Sequence, residues 1–397
     1  MVQAGGVAYH KTPMSAGEHR PRILFATIAA GGGHVAVARA MSEAVEHHYP
    51  GCFELHVSDY MKEAGVIGLD QLHKDVWRFM LRYPILARFS QRLMDTLPPL
   101  TIALQRRLVR DFARAAAVDL REDPPLLVVS NHGLMTAGLA EAKRLYGLEI
   151  PVLSFANEMC NICAYWADPR ADHVVVPSEE ARRDLMRFGV PASKILFIGF
   201  GYPVRQAFLN APTKGEARAR LGLEDRFTCL VTSGGEGVGR NQRELIRTLL
   251  DSDVPLQVVV IAGRNGALKE ELQALGTGAN VLKVEGFVED MATYLAASDV
   301  FVGKAGPSSV YEAIVIGRPA LVTGYAGLNE VGVARFVEDR GVGRYVKTPR
   351  AVLEEVRRYA LDPALLEEVA RRCRELDPTA ATERLAHYIV RYATVGA

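Results

Sequence analysis

Three stretches of this 397-residue chain place glycine where a strand-like run gives way to a helix-like run. The first is Gly31-Gly32-Gly33-His34, after Ile23–Thr27. The second is Ser233-Gly234-Gly235-Glu236-Gly237-Val238-Gly239, after Thr228–Thr232. The third runs from Gly303 through Lys304, Gly306, Pro307 and Ser308 to Glu312, after Val300-Phe301-Val302. Glycine lets a backbone approach a ligand closely. The first N–H groups of a helix have no helical partner and sit at the positive end of its dipole, so they attract anions, phosphate above all. Pro307 just inside the third helix start, with serines beside it, is a start signal. Glu312 falls about one turn further in, where a carboxylate can accept hydrogen bonds from two neighbouring hydroxyls, as on a ribose. Phosphate and ribose together point to a nucleotide. His34 stands at the entrance of the first helix, where an imidazole of pKa near ~6.5 suits taking a proton from a hydroxyl. None of the loops reads G-x-G-x-x-G or as a Walker loop, so nicotinamide and ATP are not implied. Arg205, after Pro203-Val204, and Arg264, in Ala262-Gly263-Arg264-Asn265, are candidates to set a fixed positive charge on a phosphate.

Elements that bring such loops together alternate along the chain. Strands are expected at Ile23–Thr27, Phe53–Val57, Leu126–Ser130, Pro151–Phe155, His173–Val176 and Ile195–Gly199. A second set falls at Thr228–Thr232, Gln257–Ala262, Val281–Val284, Val300–Gly303 and Ala320–Thr323. Helical patterns between them argue parallel sheets with crossover helices. The sets part around residues 200–225, the expected hinge. The fold class is therefore α/β, with two doubly wound, Rossmann-like domains whose strand carboxyl ends face a shared cleft. The expected division is a flexible tail over 1–20, an N-terminal Rossmann-like domain over 21–205, and a C-terminal Rossmann-like domain over 206–380. A helix over 381–397 is then free to pack back on the first domain.

Bulk composition excludes several classes. With 49% hydrophobic and 23% charged residues the chain is globular, and its formal net charge of +1 does not advertise nucleic acid. Five cysteines, an odd number in a long chain, favour a reducing compartment over a disulfide framework. The first twenty residues lack the apolar core of a signal peptide, and no run approaches the ~18–20 apolar residues of a spanning helix. Membrane contact, if any, is expected to be peripheral.

The motifs as a set carry a resemblance. Gly32-Gly33-His34, Val176-Pro177-Ser178-Glu179, Pro203-Val204-Arg205, Gly234-Gly235-Glu236-Gly237, Ala262-Gly263-Arg264-Asn265, Gly286-Phe287-Val288 and Lys304-Ala305-Gly306-Pro307 occur in this order. The run extends through Glu312 to Asn329-Glu330 and Gly341-Val342-Gly343. Over roughly residues 22–346 the chain resembles the MurG-like family of GT-B glycosyltransferases, and within it the monogalactosyldiacylglycerol synthases and diacylglycerol glucosyltransferases. That resemblance implies a nucleotide-sugar donor, normally a UDP-sugar, held as a substrate mainly by the second domain. Val288 matches a position whose backbone contacts the uracil. Gly235, Glu236 and Gly237 match the diphosphate loop, and Arg205 a diphosphate-contacting arginine. Glu312 matches the carboxylate on the ribose, Asn329 and Glu330 the pair facing the donor sugar, and His34 the proposed base. Transfer in this family inverts the anomeric centre and needs neither cofactor nor bound metal. Helix N-termini and Arg205 would then stabilise the departing UDP charge.

The acceptor side is read from the first domain. Residues 70–117 hold eight Arg and one Lys against four Asp, interleaved with Trp77, Phe79, Tyr83, Phe89 and other apolar residues. Such a basic, aromatic segment, including Trp77, Arg78 and Arg82, reads either as a membrane-surface element or as amphipathic helices packing on their own domain. Lipid acceptors, implied by the resemblance, favour an anionic membrane surface and a cytoplasmic, peripheral location on the inner face of the cell membrane. His132, in Ser130-Asn131-His132-Gly133, matches a strand-end histidine of the lipid-glycosyltransferase branch, where proline usually follows. Around residues 154–169 the chain departs from its relatives. Trp166 is kept, but Cys163 falls at a histidine position and Asn157-Glu158 replaces an aspartate region, which leaves the usual acceptor in doubt. Asn329 is one methylene shorter than the glutamine common there, so donor-sugar preference is open too. Cys160-Asn161-Ile162-Cys163 is a lone C-x-x-C with no second pair for zinc. Alternatives to a lipid hexosyltransferase are a MurG-like transferase to another lipid-linked or soluble acceptor, a UDP-sugar 2-epimerase-like enzyme, and a nucleotide-sugar-binding protein that has lost catalysis.

Overall fold

Fully buried strands rich in Val, Ile and Leu must be covered on both faces, which a parallel sheet with crossover helices achieves. The computed structural model describes residues 20–29, 32–232, 234, 242–276, 278–325, 327–376 and 378–395. The first sheet comprises β1 (Arg22–Thr27), β2 (Glu54–Asp59), β3 (Leu127–Ser130), β4 (Val152–Phe155), β5 (His173–Val176) and β6 (Ile195–Phe197). The second comprises β7 (Phe227–Thr232), β8 (Leu256–Ile261), β9 (Val281–Glu285), β10 (Val300–Lys304), β11 (Ala320–Gly324) and β12 (Gly343–Tyr345). Every pairing is parallel, and every residue of β3, β4 and β8 is buried. The eleven strands expected from sequence all form, with ends shifted by at most two residues. β12 was not expected: Gly343-Arg344-Tyr345 has no apolar run, and it is a strand because β11 offers it an edge.

Strand order places the chemistry. The first sheet runs β2-β1-β3-β4-β5-β6 and the second β12-β11-β10-β7-β8-β9. The direction of winding therefore reverses between β1 and β3 in one sheet and between β7 and β10 in the other. At such a switch point the loops leaving two neighbouring strands diverge to opposite faces and open a crevice at their carboxyl ends. The loops after β1, β7 and β10 are the three glycine loops, so all of them start at a switch point.

The helix Gly32–His48 follows β1, and the C-terminal helix Ala380–Val395 lies against it. That last helix also reaches the first sheet, where the Tyr392 hydroxyl is 3.0 Å from His173 Nδ1. Gly201, in the expected hinge, has φ +147, and a Cβ there would fall 2.0 Å from the Ala381 Cβ. A side chain at this position would push the C-terminal helix off the hinge.

Candidate active site in the interdomain cleft

At the switch point of the first sheet, the loop after β1 delivers His34 and the loop after β3 delivers Asn131 and His132. The two imidazole rings lie 4.8 Å apart, centroid to centroid. Asn131 holds His34 from two sides: its Nδ2 donates to the His34 carbonyl at 2.6 Å, and its own carbonyl is 3.0 Å from His34 Nδ1. A carbonyl only accepts, so Nδ1 carries the proton and Nε2 keeps its lone pair. The Asn157 amide lies against the same Nδ1, with its nitrogen at 2.7 Å, while Asn157 Oδ1 is buried without a partner. Turning that amide over lets Oδ1 accept from Nδ1–H and removes the orphan, so that two groups hold one tautomer. Burial pushes the His34 pKa down to about 4, against the Asn131 hydrogen bond and helped by His73. The ring is neutral at pH 7, with Nε2 free to accept.

The surroundings are neutral rings. His73, from the helix Ile67–Arg82, meets the His132 ring edge-on at 4.8 Å, and burial lowers its pKa to about 4. Burial also holds His132 well below an ordinary histidine. Trp166 lies 6.4 Å from both the His34 and His132 rings, and the Tyr165 hydroxyl is 3.1 Å from His132 Nδ1. Of this cluster the sequence reading singled out His34, His132 and Trp166. It passed over His73 and Tyr165, and it quoted Asn131 and Asn157 without giving either a role at His34. The signal for His73 was one turn of helix, since Asp70 and Lys74 on the same face pin it inward through Lys74's ion pairs with Asp70 and Asp59.

Glu158, expected on the acceptor side, crosses to the other domain. Its Oε2 accepts from Asn329 Nδ2 at 2.7 Å. Burial raises its pKa to about 7, opposed by the Asn329 bond and aided by the charge of Glu330. Glu330 is buried and accepts from Lys304 Nζ at 2.8 Å. The loop from 157 to 163 is pressed on the helix Leu328–Asp339, where a Cβ on Gly332 would sit 2.3 Å from the Cys160 Cβ. Cys160 and Cys163 are free, and burial pushes the Cys160 thiol up to about 12 and Cys163 higher still, so both are protonated.

The second sheet's switch point supplies the facing wall. Gly306 is the N-cap and Pro307 the first residue of the helix Pro307–Ile316. This wall comes close to the first: a Cβ on Gly33 would lie 3.6 Å from Ser308 Oγ. Tyr202, fully buried between the halves, donates to the Asn157 carbonyl at 3.1 Å. Burial drives Glu312 up to about 8, with Arg205 opposing the shift. Arg205 itself meets a carboxylate: its Nε donates to Glu43 Oε1 at 3.0 Å, and Glu43 Oε2 accepts from the Gln206 N–H at 2.9 Å. At the carboxyl ends of β8 and β9, the Arg264 guanidinium stacks over the Phe287 ring at 4.4 Å, next to Val288. Gly235, Glu236 and Gly237 lie outside the described residues.

The segment read as basic and aromatic folds into successive helices, among them Ile67–Arg82, Pro84–Thr96 and Pro98–Leu108. The first two are inverted in polarity. Their buried described side chains are Asp70 and Gln91, while Trp77, Phe79, Ile85, Leu86, Phe89 and Leu93 face solvent. Fourteen of the twenty exposed large hydrophobic residues among the described residues fall between Ile67 and Leu108. Arg78 is exposed beside Asp75, and Arg82 is exposed on the same helix. Contiguous apolar exposure of this kind marks an interaction surface. The patch is coupled to the cleft, because Gln91 Oε1 accepts from the Leu328 N–H at 2.8 Å and Asn161 Nδ2 donates to the Leu328 carbonyl at 3.1 Å. No helix among the described residues is long and apolar enough to cross a membrane.

Comparison with known proteins follows the same lines. The model of the glycosyltransferase family 28 C-terminal domain matches residues 228–381, and that of glycosyltransferase family 4 matches residues 30–204. The probable chloroplastic monogalactosyldiacylglycerol synthase of Nicotiana tabacum is 28% identical over 349 residues, 85% of this chain and 64% of that protein. The chain thus spans somewhat less than two thirds of that relative. The crystal structure of Acinetobacter baumannii MurG superposes with a TM-score of 0.60 at 18% identity, covering 94% of this chain and 99% of that one. UDP-GlcNAc 2-epimerase from Neisseria meningitidis, bound to UDP-GlcNAc, does so with a TM-score of 0.57 at 14% identity, covering 93% and 98%. At those identities the structures speak to the fold. Two parallel sheets meeting at their switch points, with a glycosyltransferase family model matched in each half, give this chain the GT-B fold and the make-up of a glycosyltransferase similar to the monogalactosyldiacylglycerol synthases.

Proposed function

We propose that this enzyme moves a hexose from a UDP-sugar to a hydroxyl of a lipid such as diacylglycerol, at a membrane surface and with inversion. The observation that carries the proposal is a neutral His34, held in one tautomer, between a nucleotide-type helix start and an inside-out apolar surface. In this reading the helix Pro307–Ile316 and the glycine loop after β7 take the diphosphate at their N–H groups, and Glu312 takes the ribose hydroxyls. The uracil lies against the backbone at Val288, with Arg264 nearby. Asn329, Glu330 and Glu158 face the sugar. The lipid enters past Trp77, Phe89 and their neighbours, and its hydroxyl meets His34 Nε2. As the hydroxyl oxygen bonds the anomeric carbon, its proton passes to Nε2 and the bond to UDP breaks on the opposite face. A pKa of about 4 is low for a base, and a bound diphosphate raises it by favouring the imidazolium. The UDP charge is met by helix N-terminus and by Arg205 once Glu43 yields it, so that no metal is required in this scheme. Arg78 and Arg82 draw the protein to anionic lipid on the cytoplasmic face.

The test is incubation of the full chain with single UDP-sugars and diacylglycerol-containing vesicles, followed by mass analysis of the lipids. A glycolipid with an inverted linkage is expected. Turnover on a soluble acceptor with no glycolipid from any donor would sink the lipid assignment. One observation favours a second reading. Glu158, with a pKa of about 7 next to Asn329, is poised for acid–base chemistry on the sugar itself, as an epimerase requires. Conversion of a UDP-sugar to its epimer in the absence of any acceptor would support that alternative.

A further inference from the structure

A second cluster of titratable groups lies away from the cleft, where the helix Gly32–His48 ends against the C-terminal helix. His48 is the last residue of the first helix, and Glu383 and His387 stand one turn apart on the other. Their ligand atoms all lie within 4.8 Å of one another, and His387 Nε2 is 3.6 Å from Glu383 Oε1. The His48 and His387 rings have centroids 5.0 Å apart. Bonds of about 2.0–2.1 Å at tetrahedral angles put ligand atoms about 3.3 Å apart, so small rotamer changes close this set on an ion.

Two further features suit a cation. The Tyr49 hydroxyl is 2.8 Å from His387 Nδ1, an outer partner that takes the Nδ1 proton and leaves Nε2 as the ligand. The site also caps the carboxyl end of a helix, where the dipole favours positive charge. Two imidazoles and one carboxylate select a borderline divalent metal over calcium or magnesium, which prefer all-oxygen shells.

We propose that His48, Glu383 and His387 form a structural binding site for a divalent transition metal, zinc foremost, that ties the C-terminal helix to the first domain. Water fills the fourth position. The site is not catalytic: fourteen residues separate His48 from His34 along one helix, which is about 21 Å at 1.5 Å per residue. It therefore stands independently of the proposed reaction.

The test titrates chelator-treated full-length protein with Zn²⁺ by calorimetry and follows thermal unfolding with and without the metal. Wild type should bind one equivalent that is absent from the His48→Ala/His387→Ala double variant, and should gain melting temperature with Zn²⁺ where the variant gains none. Tyr49→Phe should bind about tenfold more weakly. Equal melting temperatures without metal, and equal UDP binding, show that the variants are folded. Wild type taking up no Zn²⁺, or the double variant binding it as tightly as wild type, overturns the proposal.

Discussion

The two switch points face one cleft but are built from different materials. Among the described residues, the one between β7 and β10 presents a capped helix start, Gly306 at its cap, and the carboxyl of Glu312 a turn inside. Its parts come from short stretches of chain. The one between β1 and β3 is made of side chains gathered from afar, with His34, His73, His132, Asn157 and Trp166 spread over more than a hundred residues. A helix start offers its N–H groups to any diphosphate. The ring cluster is more particular, and it lies where the sequence reading placed the unusual residues Asn157, Glu158 and Cys163.

The largest effect should fall on the ring side. His34→Ala removes the only group in the cluster whose Nε2 is left free by a held tautomer, and kcat should drop by about 10²–10⁴-fold. UDP affinity, measured by calorimetry, should change little, because the groups proposed to hold UDP stand on the other wall. A His34→Ala enzyme of full activity would end the assignment of the base, and a parallel loss of UDP binding would blur the contrast between the walls. In wild type at saturating donor, the acid limb of kcat/KM for the acceptor should lie below that of an ordinary histidine, because the His34 pKa starts from about 4 and the bound diphosphate restores only part of the shift.

That contrast also explains what the sequence made legible. Eleven strands and both sheets followed from apolar runs and helical patterns, because a parallel sheet imposes a local composition on each strand. The helix start at Gly306-Pro307 followed for the same reason: a proline just inside a helix is a short-range signal. β12 stayed hidden because its pairing is a property of β11's edge. His73 stayed hidden because nothing local distinguishes a helix histidine that will meet the His132 ring, and Asn157, noticed only as an unusual residue, because nothing local marks an amide that will meet His34. Arg205 was expected to face a phosphate, and its Glu43 partner, on a helix far earlier in the chain, could not be read from Pro203-Val204-Arg205.

Next in size is Glu312. Its carboxyl has a pKa raised to about 8 by burial, so it is largely protonated at neutral pH when no donor is bound. A raised carboxyl contributes stability that is present below its usual value and is lost as pH rises through about 8. Glu158 does the same through about 7. The empty protein should therefore lose melting temperature as pH rises across that window. A carboxylate that accepts two ribose hydroxyls must be ionised, so donor binding should release protons near pH 7, visible as buffer-dependent heats in calorimetry. Glu312→Ala should cost about 1.5–3 kcal/mol of UDP affinity, roughly 10–150-fold, and abolish that proton release. Proton release that survives the substitution would move the ribose contact elsewhere.

The exposed surface should yield a smaller effect, confined to the acceptor wall. Arg78→Ala with Arg82→Ala should weaken binding to anionic vesicles by about 1 kcal/mol per arginine, roughly 30-fold together. Arg78 already faces Asp75, which trims its share. Neutral vesicles and UDP binding should be unaffected. If the double variant binds anionic vesicles as wild type does, the inside-out helices serve some other partner.

The smallest expected effect tests the ring wall most sharply. Asn157→Leu removes one of the two groups on His34 Nδ1 and leaves the Asn131 carbonyl in place. A net hydrogen bond of about 1 kcal/mol predicts roughly a fivefold loss in kcat, with KM for the donor unchanged. Asn157→Asp keeps the shape but sets a carboxylate against Nδ1–H. An adjacent negative charge favours the imidazolium, so the His34 pKa should climb from about 4 and carry the acid limb of kcat/KM upward with it. A loss of rate alone could come from any disturbance of the pocket, whereas an upward move of the acid limb in the aspartate variant, absent in the leucine variant, requires that position 157 act through His34. An acid limb that stays in place would leave Asn157 as packing and return the hold on the base to Asn131.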